Sequence, residues 1–379
     1  VGSAGQNVPN DSVTLWRYLP IGRFLWMVEQ RSVYFARLAE FGDRFEASLP
    51  APLRRRLSRT PANFVDRLYQ LYANRAVIQC WHENEYESEA MWSSYVPGDE
   101  GIALSTNVGR IKTTIRGGPI NLVIARVRYI DHDIDDVEDG PKFVPEAPLF
   151  CKRRSYEFER EVRFAILPAF AGSELTSPLA STPEVSQQQK SGMVEFQVNK
   201  DWNPDFGVTV PHLSETGGFT IPADLATLID RLVVSPRYPK WAVQSLQAIL
   251  DHFDVPVELE TSDLTRAPGR EPLKRFVVSE PSVVFSAERH HVENGMATAA
   301  INVASNRDVG PFTFTVGSSA DWIIGAGDGY LPATGPATIH LAINGMFAFE
   351  RGISYAALVI LKSPGFVSKR IPVMLTITD

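Results

Sequence analysis

Cysteine is nearly absent: the 379 residues hold two, Cys80 and Cys151, with no CxxC and no repeated spacing. That excludes a disulfide scaffold and suits a reduced, cytoplasmic chain. It also leaves zinc unsupported, because Cys80 and His82 alternate along a strand-like run and no further ligands follow at recognisable spacing. Apolar runs of membrane-spanning length are missing. Val1 to Asp11 lacks the basic-then-apolar order of a secretory signal. Basic charge is not in excess either. The formal net charge is −7, which argues against a general nucleic-acid binder and leaves a local basic patch open. No GxxxxGK[ST], GxSxG or HExxH motif occurs, so the chemistries that those motifs carry have no support.

A chain of this length exceeds one compact core, and its patterning changes once. In the first part, Leu15 to Leu19, Val33 to Ala36, Val77 to Trp81, Gly101 to Leu104, Asn121 to Tyr129, Glu161 to Leu167 and Leu228 to Ser235 read as strands. Phe24 to Glu29, Pro61 to Tyr72, Ala90 to Tyr95 and Trp241 to Phe253 have helical spacing, the last with Val243, Leu246, Leu250 and Phe253 on one side. Asp131 to Gly140 is an acidic loop expected at the surface, and Ala171 to Lys190 has loop or lid composition. The expectation is an α+β domain over 1–267, a linker over 268–275 that overlaps the Pro/Gly-rich stretch Thr265 to Pro272, and an all-β domain over 276–379. In that last part short β runs alternate with Gly, Pro and Asn turns at the spacing of an immunoglobulin-like sandwich. Trp322 is expected in its core; Phe347, Phe349 and Tyr330 are the aromatics available to a glycan-binding face.

The segment most informative about chemistry is Tyr156 to Arg163. If it enters a strand, Glu159, Glu161 and Arg163 share one face. Two carboxylates two residues apart repel and tend to raise one pKa, and Arg163 is placed to offset that. A solvated charged edge is the plain alternative. Arg17, between Trp16 and Tyr18, is either a snorkelling surface group or a buried cation with an anionic partner. Tyr34 is a core tyrosine or a pocket residue.

Several segments, in order, resemble a bacterial family known as domain of unknown function 2971. They are Leu15-Trp16-Arg17-Tyr18; Val33 to Arg37 leading to Phe41-Gly42-Asp43-Arg44-Phe45-Glu46; Cys80-Trp81; Glu87 to Tyr95; Gly101 to Leu104; Lys152 with Tyr156 to Arg163; and Leu232 to Pro236. The likeness covers roughly residues 12 to 266. Where the family turn carries Asn-Asp-Pro, this chain has Gly42-Asp43-Arg44, which keeps Asp43 and Glu46 and alters the loop. The order of an Arg strand, a Tyr strand and a late Glu-x-Glu is similar to the site layout of ADP-ribosyltransferases, including toxin relatives in phage defence. That resemblance implies an ADP-ribosyltransferase-like mixed sheet with helices, and NAD as substrate. Arg17, with Trp16, Tyr34 and Arg163, would bind the dinucleotide. Tyr34 would shape the nicotinamide pocket, Glu161 would stabilise the cationic ribose, and Glu159 would activate the acceptor. The last hundred residues are similar to Bacteroidetes-type immunoglobulin-like modules often termed carbohydrate-binding.

These resemblances imply a cytoplasmic antiviral-defence effector of the abortive-infection kind: a toxin domain controlled by a recognition domain that binds a phage or host protein. Protein, nucleic acid and small molecule all stay open as the acceptor. Two rivals remain. One is a non-enzymatic sensor or adaptor with two binding domains. The other is a metal-dependent nuclease, for which Asp43, Glu46, Glu87 and Glu89 are the carboxylates to inspect.

Overall fold

In the first two-thirds of the chain the strands are β1 (Thr14–Pro20), β2 (Ser32–Arg37), β3 (Val77–Glu83), β4 (Gly101–Asn107), β5 (Leu122–Arg126), β6 (Arg128–Ile130), β7 (Cys151–Arg153), β8 (Glu161–Ile166), β9 (Phe219–Pro222), β10 (Arg231–Val234) and β11 (Leu259–Thr261). The helices are α1 (Ile21–Gln30), α2 (Ala51–Leu57), α3 (Glu89–Tyr95), α4 (Val108–Ile115), α5 (Leu225–Leu228) and α6 (Lys240–His252). This computed structural model describes residues 8–46, 48–57, 76–115, 122–137, 147–166, 218–268, 274–288, 291–292, 294, 297–306, 311–325, 327–332 and 335–378. The helix expected over Pro61 to Tyr72 and the loop over Ala171 to Lys190 lie outside the described residues.

The chain divides into two compact units. One comprises Val1–Pro9, Ser32–Asn84 and Gly117–Pro222; the other comprises Asn10–Arg31, Glu85–Arg116 and Ala223–Asp379. Among the described residues helices and strands are mixed, and strands predominate.

In the first unit the strand order is β9-β2-β3-β8-β5, antiparallel throughout. All six residues of β8 are buried, so the strand reads as a continuous core run rather than as an alternating surface strand. The segment Asn121 to Tyr129 forms two strands, not one. The chain breaks at Val127, whose amide donates to the Glu161 carbonyl at 2.8 Å, and β6 leaves to pair in parallel with β7.

In the second unit the order is β1-β4-β10-β11, with β1, β4 and β10 antiparallel and β11 parallel to β10. Trp16, Tyr18, Met91, Trp92, Val96, Ala103 and Val233 form one apolar cluster there. Ser88 caps α3 by accepting the Met91 amide, and its own amide donates to the Tyr18 hydroxyl at 2.8 Å. Helix α1 ends without glycine: Arg31 takes the left-handed conformation at φ 45°, and its amide closes on the Met27 and Val28 carbonyls.

The same unit contains the β-sandwich. Its strands are β12 (Lys274–Val278), β13 (Val283–Glu288), β14 (Thr298–Ser305), β15 (Phe312–Ser318), β16 (Ile323–Ile324), β17 (Gly327–Leu331), β18 (Ala337–Ile343), β19 (Ser354–Lys362), β20 (Phe366–Val367) and β21 (Lys369–Thr378). They form two five-stranded sheets, β16-β18-β14-β12-β20 and β13-β21-β19-β15-β17. Alternate residues supply one shared core: Ile301 and Val303, Ile339, Leu341 and Ile343 from one sheet, Val359 and Leu361, Ile371, Val373 and Leu375 from the other. Trp322 is buried in that core against Phe349, while Phe347 and Tyr330 are exposed. Strand β12 begins at Lys274, so the last two residues of the expected linker are already strand; residues 269–273 lie outside the description.

Candidate functional site

The Glu159 to Arg163 segment is not one extended strand. Arg154–Glu159 forms a 3-10 turn, Arg160 adopts φ 41°, and β8 starts only at Glu161. A left-handed conformation costs a non-glycine residue about 1–2 kcal/mol. Neighbouring bonds hold it: the Arg160 carbonyl accepts from the Glu83 amide at 2.9 Å, and the Glu159 carbonyl accepts from His82 Nδ1 at 2.6 Å. The reversal at Arg160 still brings the two glutamate side chains to the same ammonium.

That ammonium is Lys152, from β7. Its Nζ lies 2.5 Å from Glu159 Oε2, 3.1 Å from Glu161 Oε2 and 3.5 Å from Glu46 Oε1. It also sits 4.8 Å from the centre of the Tyr156 ring. Arg163, fully buried, donates from Nε to Glu161 at 2.6 Å, from Nη2 to both Glu46 oxygens at 2.8 and 3.0 Å, and from Nη1 to the Leu149 carbonyl at 2.6 Å. The Cys80 thiol, opposite Arg163 across β3 and β8, donates to Glu161 as well. The Glu161 amide donates to the Tyr129 hydroxyl at 2.8 Å. The solvated-edge alternative is therefore wrong for this segment. The side chains of Glu159 and Glu161 are 7% and 5% exposed, because Lys152, Arg163 and Glu46 close over them.

The electrostatics follow from that packing. Burial acts to raise the Glu161 carboxyl, but Arg163 and Lys152 outweigh it and hold the group down at about 2. Burial acts to lower Lys152 and Arg163, yet the glutamates around them raise both. Removal from water, and then the adjacent Glu161 carboxylate, push the Cys80 thiol well up. Counting formal charges, two cations face three carboxylates, so the cluster carries one negative charge in excess.

Beside it lies a second arrangement. Asp43 pairs with Arg153 through two bonds of 3.0 and 2.8 Å and accepts the Phe45 amide at 3.1 Å. The Arg153 guanidinium sits over the Phe45 and Tyr156 rings, 4.7 and 5.6 Å from their centres. The Gly42-Asp43-Arg44 turn thus keeps a working carboxylate at Asp43.

The remaining expected residues fall elsewhere. Tyr34, half-buried on β2, accepts the Gly218 amide at 2.8 Å through its hydroxyl. Trp16 and Arg17 lie on β1 of the second unit. Trp16 is buried with the Arg231 guanidinium 5.1 Å from its ring, and Arg17 is half-buried. Of the residues expected from the sequence, Glu159, Glu161 and Arg163 are thus brought into one cluster. Lys152 and Glu46 complete it, and neither carried a site role in the enzyme reading. The signal for Lys152 was the likeness of the segment that contains it; Glu46 had that signal too and was also among the carboxylates of the nuclease alternative. Glu87 accepts from the Trp92 indole, the Ser262 hydroxyl and the Asp263 amide, and Glu89 is exposed on α3. Among the described residues no group of three or more His, Cys, Asp or Glu is arranged to hold a metal ion, and no helix is long and apolar enough to cross a membrane.

No protein-family model matches the chain, and no curated protein matches it. Solved structures match it in part. A Bacteroides ovatus GH5 xyloglucanase in complex with a heptasaccharide is 16% identical over 27% of this chain and 19% of its own, with TM-score 0.21. The E. coli chaperone DraB is 12% identical over 27% of this chain and 55% of its own, with TM-score 0.22. The Pseudomonas aeruginosa CupB2 chaperone is 13% identical over 27% and 55%, with TM-score 0.21. The chain thus spans less than two-thirds of each of these proteins.

Proposed function

We propose that the part of the chain before the sandwich is an ADP-ribosyltransferase-like domain that acts on NAD, within a bacterial antiviral-defence effector whose immunoglobulin-like sandwich serves recognition. One observation carries this reading: Glu159 and Glu161 converge on a buried cluster with one formal negative charge in excess. Breaking the N-glycosidic bond of a nicotinamide dinucleotide leaves positive charge on the ribose. A fixed negative charge in a water-poor site favours that charge by several kcal/mol. Glu161, ionised down to about pH 2, supplies it at every physiological pH. Glu159, linked to protein through Lys152, is the proton acceptor for an incoming nucleophile. Tyr34, on β2 of the same unit, would shape the nicotinamide pocket; Arg17, the expected dinucleotide residue, is half-buried on β1, and Trp16 is enclosed in its apolar cluster.

A second reading has its own support. Glu161 already accepts from Arg163, Lys152 and Cys80, which is how a structural ion cluster in a non-enzymatic sensor would look. Calorimetric titration of NAD into the full chain separates the two. Saturable binding that Arg17→Ala weakens supports the transferase reading. No binding by folded protein removes it and leaves the sensor.

A further inference from the structure

Among the contacts of the sandwich with the rest of its unit, two centre on adjacent residues, Asp230 just before β10 and Arg231 at its start. Asp230 accepts from Lys369 Nζ at 2.8 and 2.9 Å and from Arg110 Nη2 at 3.1 Å. Lys369 belongs to β21 of the sandwich, and Arg110, wholly buried, belongs to α4. Next in the chain, Arg231 binds Glu260 at 2.9 Å, and the same Glu260 oxygen accepts from Arg275 of β12 at 2.6 Å. Arg231 also covers the Trp16 ring on β1. A continuous set of contacts therefore runs from the sandwich through Asp230 and Arg231 to the strand that carries Arg17.

The first of these contacts is unbalanced. Arg110, Lys369 and Arg370 gather around the Asp230 carboxylate, and Glu258 and Glu260 act on Arg370 from further off. Among the described residues no carboxylate lies within ion-pair distance of Arg370. Its guanidinium donates to the Pro256, Ile229 and Asp230 carbonyls, and Arg110 donates to the Thr227 and Arg370 carbonyls. Burial, and then Arg110, bring the Arg370 guanidinium down to about 10, while the three cations hold Asp230 well below the usual carboxylate range against its burial. Backbone carbonyls satisfy the N–H groups without cancelling the charge. Asp230 is thus the carboxylate that Arg110 and Lys369 share, with Arg370 beside it.

We propose that Asp230 is the lock that keeps the sandwich docked, and that through Arg231 the same lock fixes β1, so that undocking of the sandwich alters the strand bearing Trp16 and Arg17. That this regulates a reaction rests on the transferase reading; the mechanical coupling does not. A ligand that binds the parted sandwich better than the docked one would shift the balance by its differential affinity.

Native-state hydrogen exchange on the full chain tests the coupling without any activity assay. Asp230→Asn and Lys369→Met delete the same ion pair, but the first removes the carboxylate that Arg110 and Lys369 share and the second removes one of the cations around it. The expected result is an exchange rate raised about ten-fold or more by Asp230→Asn at both Lys369 to Ile371 and Trp16 to Tyr18, with β19 still protected. Lys369→Met should change either segment by less than about three-fold. Equal effects of the two variants, or acceleration at β21 with β1 unchanged, overturn the proposal. Should Asp230→Asn fail to fold, Glu260→Gln, which releases Arg231 and Arg275 together, is measured at the same β1 amides with the same criterion.

Discussion

Arg163 Nε meets Glu161 Oε1 at 2.6 Å, two residues apart on one buried strand, with neither side chain more than 5% exposed. A pair removed from water in this way is a poor source of net stability but costly to break, because the surviving partner keeps its charge and loses its compensation. Arg163→Met should therefore destabilise the chain by about 3–5 kcal/mol. Arg163→Lys should not restore it, since an ammonium cannot reach Glu161, Glu46 and the Leu149 carbonyl together. Urea unfolding midpoints check both. A loss under about 1 kcal/mol, the range of an exposed pair, would show that the cluster is solvated.

The depressed Glu161 carboxyl makes stability depend on acid. Its folded value of about 2 lies below the reference 4.5, so the group stabilises the fold above the unfolded value. That contribution is lost as pH falls toward 2, and amounts to about 3 kcal/mol in all. Glu161→Gln should flatten unfolding stability between about pH 5 and pH 2 relative to the unsubstituted chain. Parallel acid-unfolding curves for the two would contradict the assignment.

In the sandwich, Leu361 is wholly buried and Phe347 is 40% exposed. Leu361→Ala should cost about 2–5 kcal/mol, and Phe347→Ala, whose ring packs on Phe349 and Tyr355 from an exposed position, should cost less. Thermal unfolding followed by near-ultraviolet circular dichroism reads both. Equal losses would mean that Phe347 belongs to the core.

The seven β runs expected in the sandwich all appear; in β13, β14, β15 and β18 the apolar residues alternate because one face is buried, whereas β21 is buried continuously from Arg370 to Leu375. Leu246 and Leu250 of α6 were legible for the same reason at helical spacing, whereas Val243 and Phe253 are only half-buried. Helix α4 was not legible. Val108-Gly109-Arg110-Ile111-Lys112-Thr113-Thr114-Ile115 is poor in strong helix formers, and Asn107 accepting the Arg110 amide starts it where propensity does not. Within the candidate site, Glu159, Glu161 and Arg163 were found by two-residue spacing. The spacing misplaced Glu159 on a strand, because a left-handed Arg160 is invisible to periodicity. Lys152 and Glu46 were missed as site members because their proximity to Glu161 is tertiary: the former arrives on β7, the latter from the turn after Asp43.

The most direct test of the transferase reading is nicotinamide release from NAD by the full chain, measured beside Glu161→Gln and Glu159→Gln proteins whose folds are verified by circular dichroism. The expected result is release by the unsubstituted chain, a loss of about 10²–10³-fold with Glu161→Gln, and, with Glu159→Gln, continued hydrolysis without transfer to an acceptor. No release by the unsubstituted chain, or full release by folded Glu161→Gln, would contradict it.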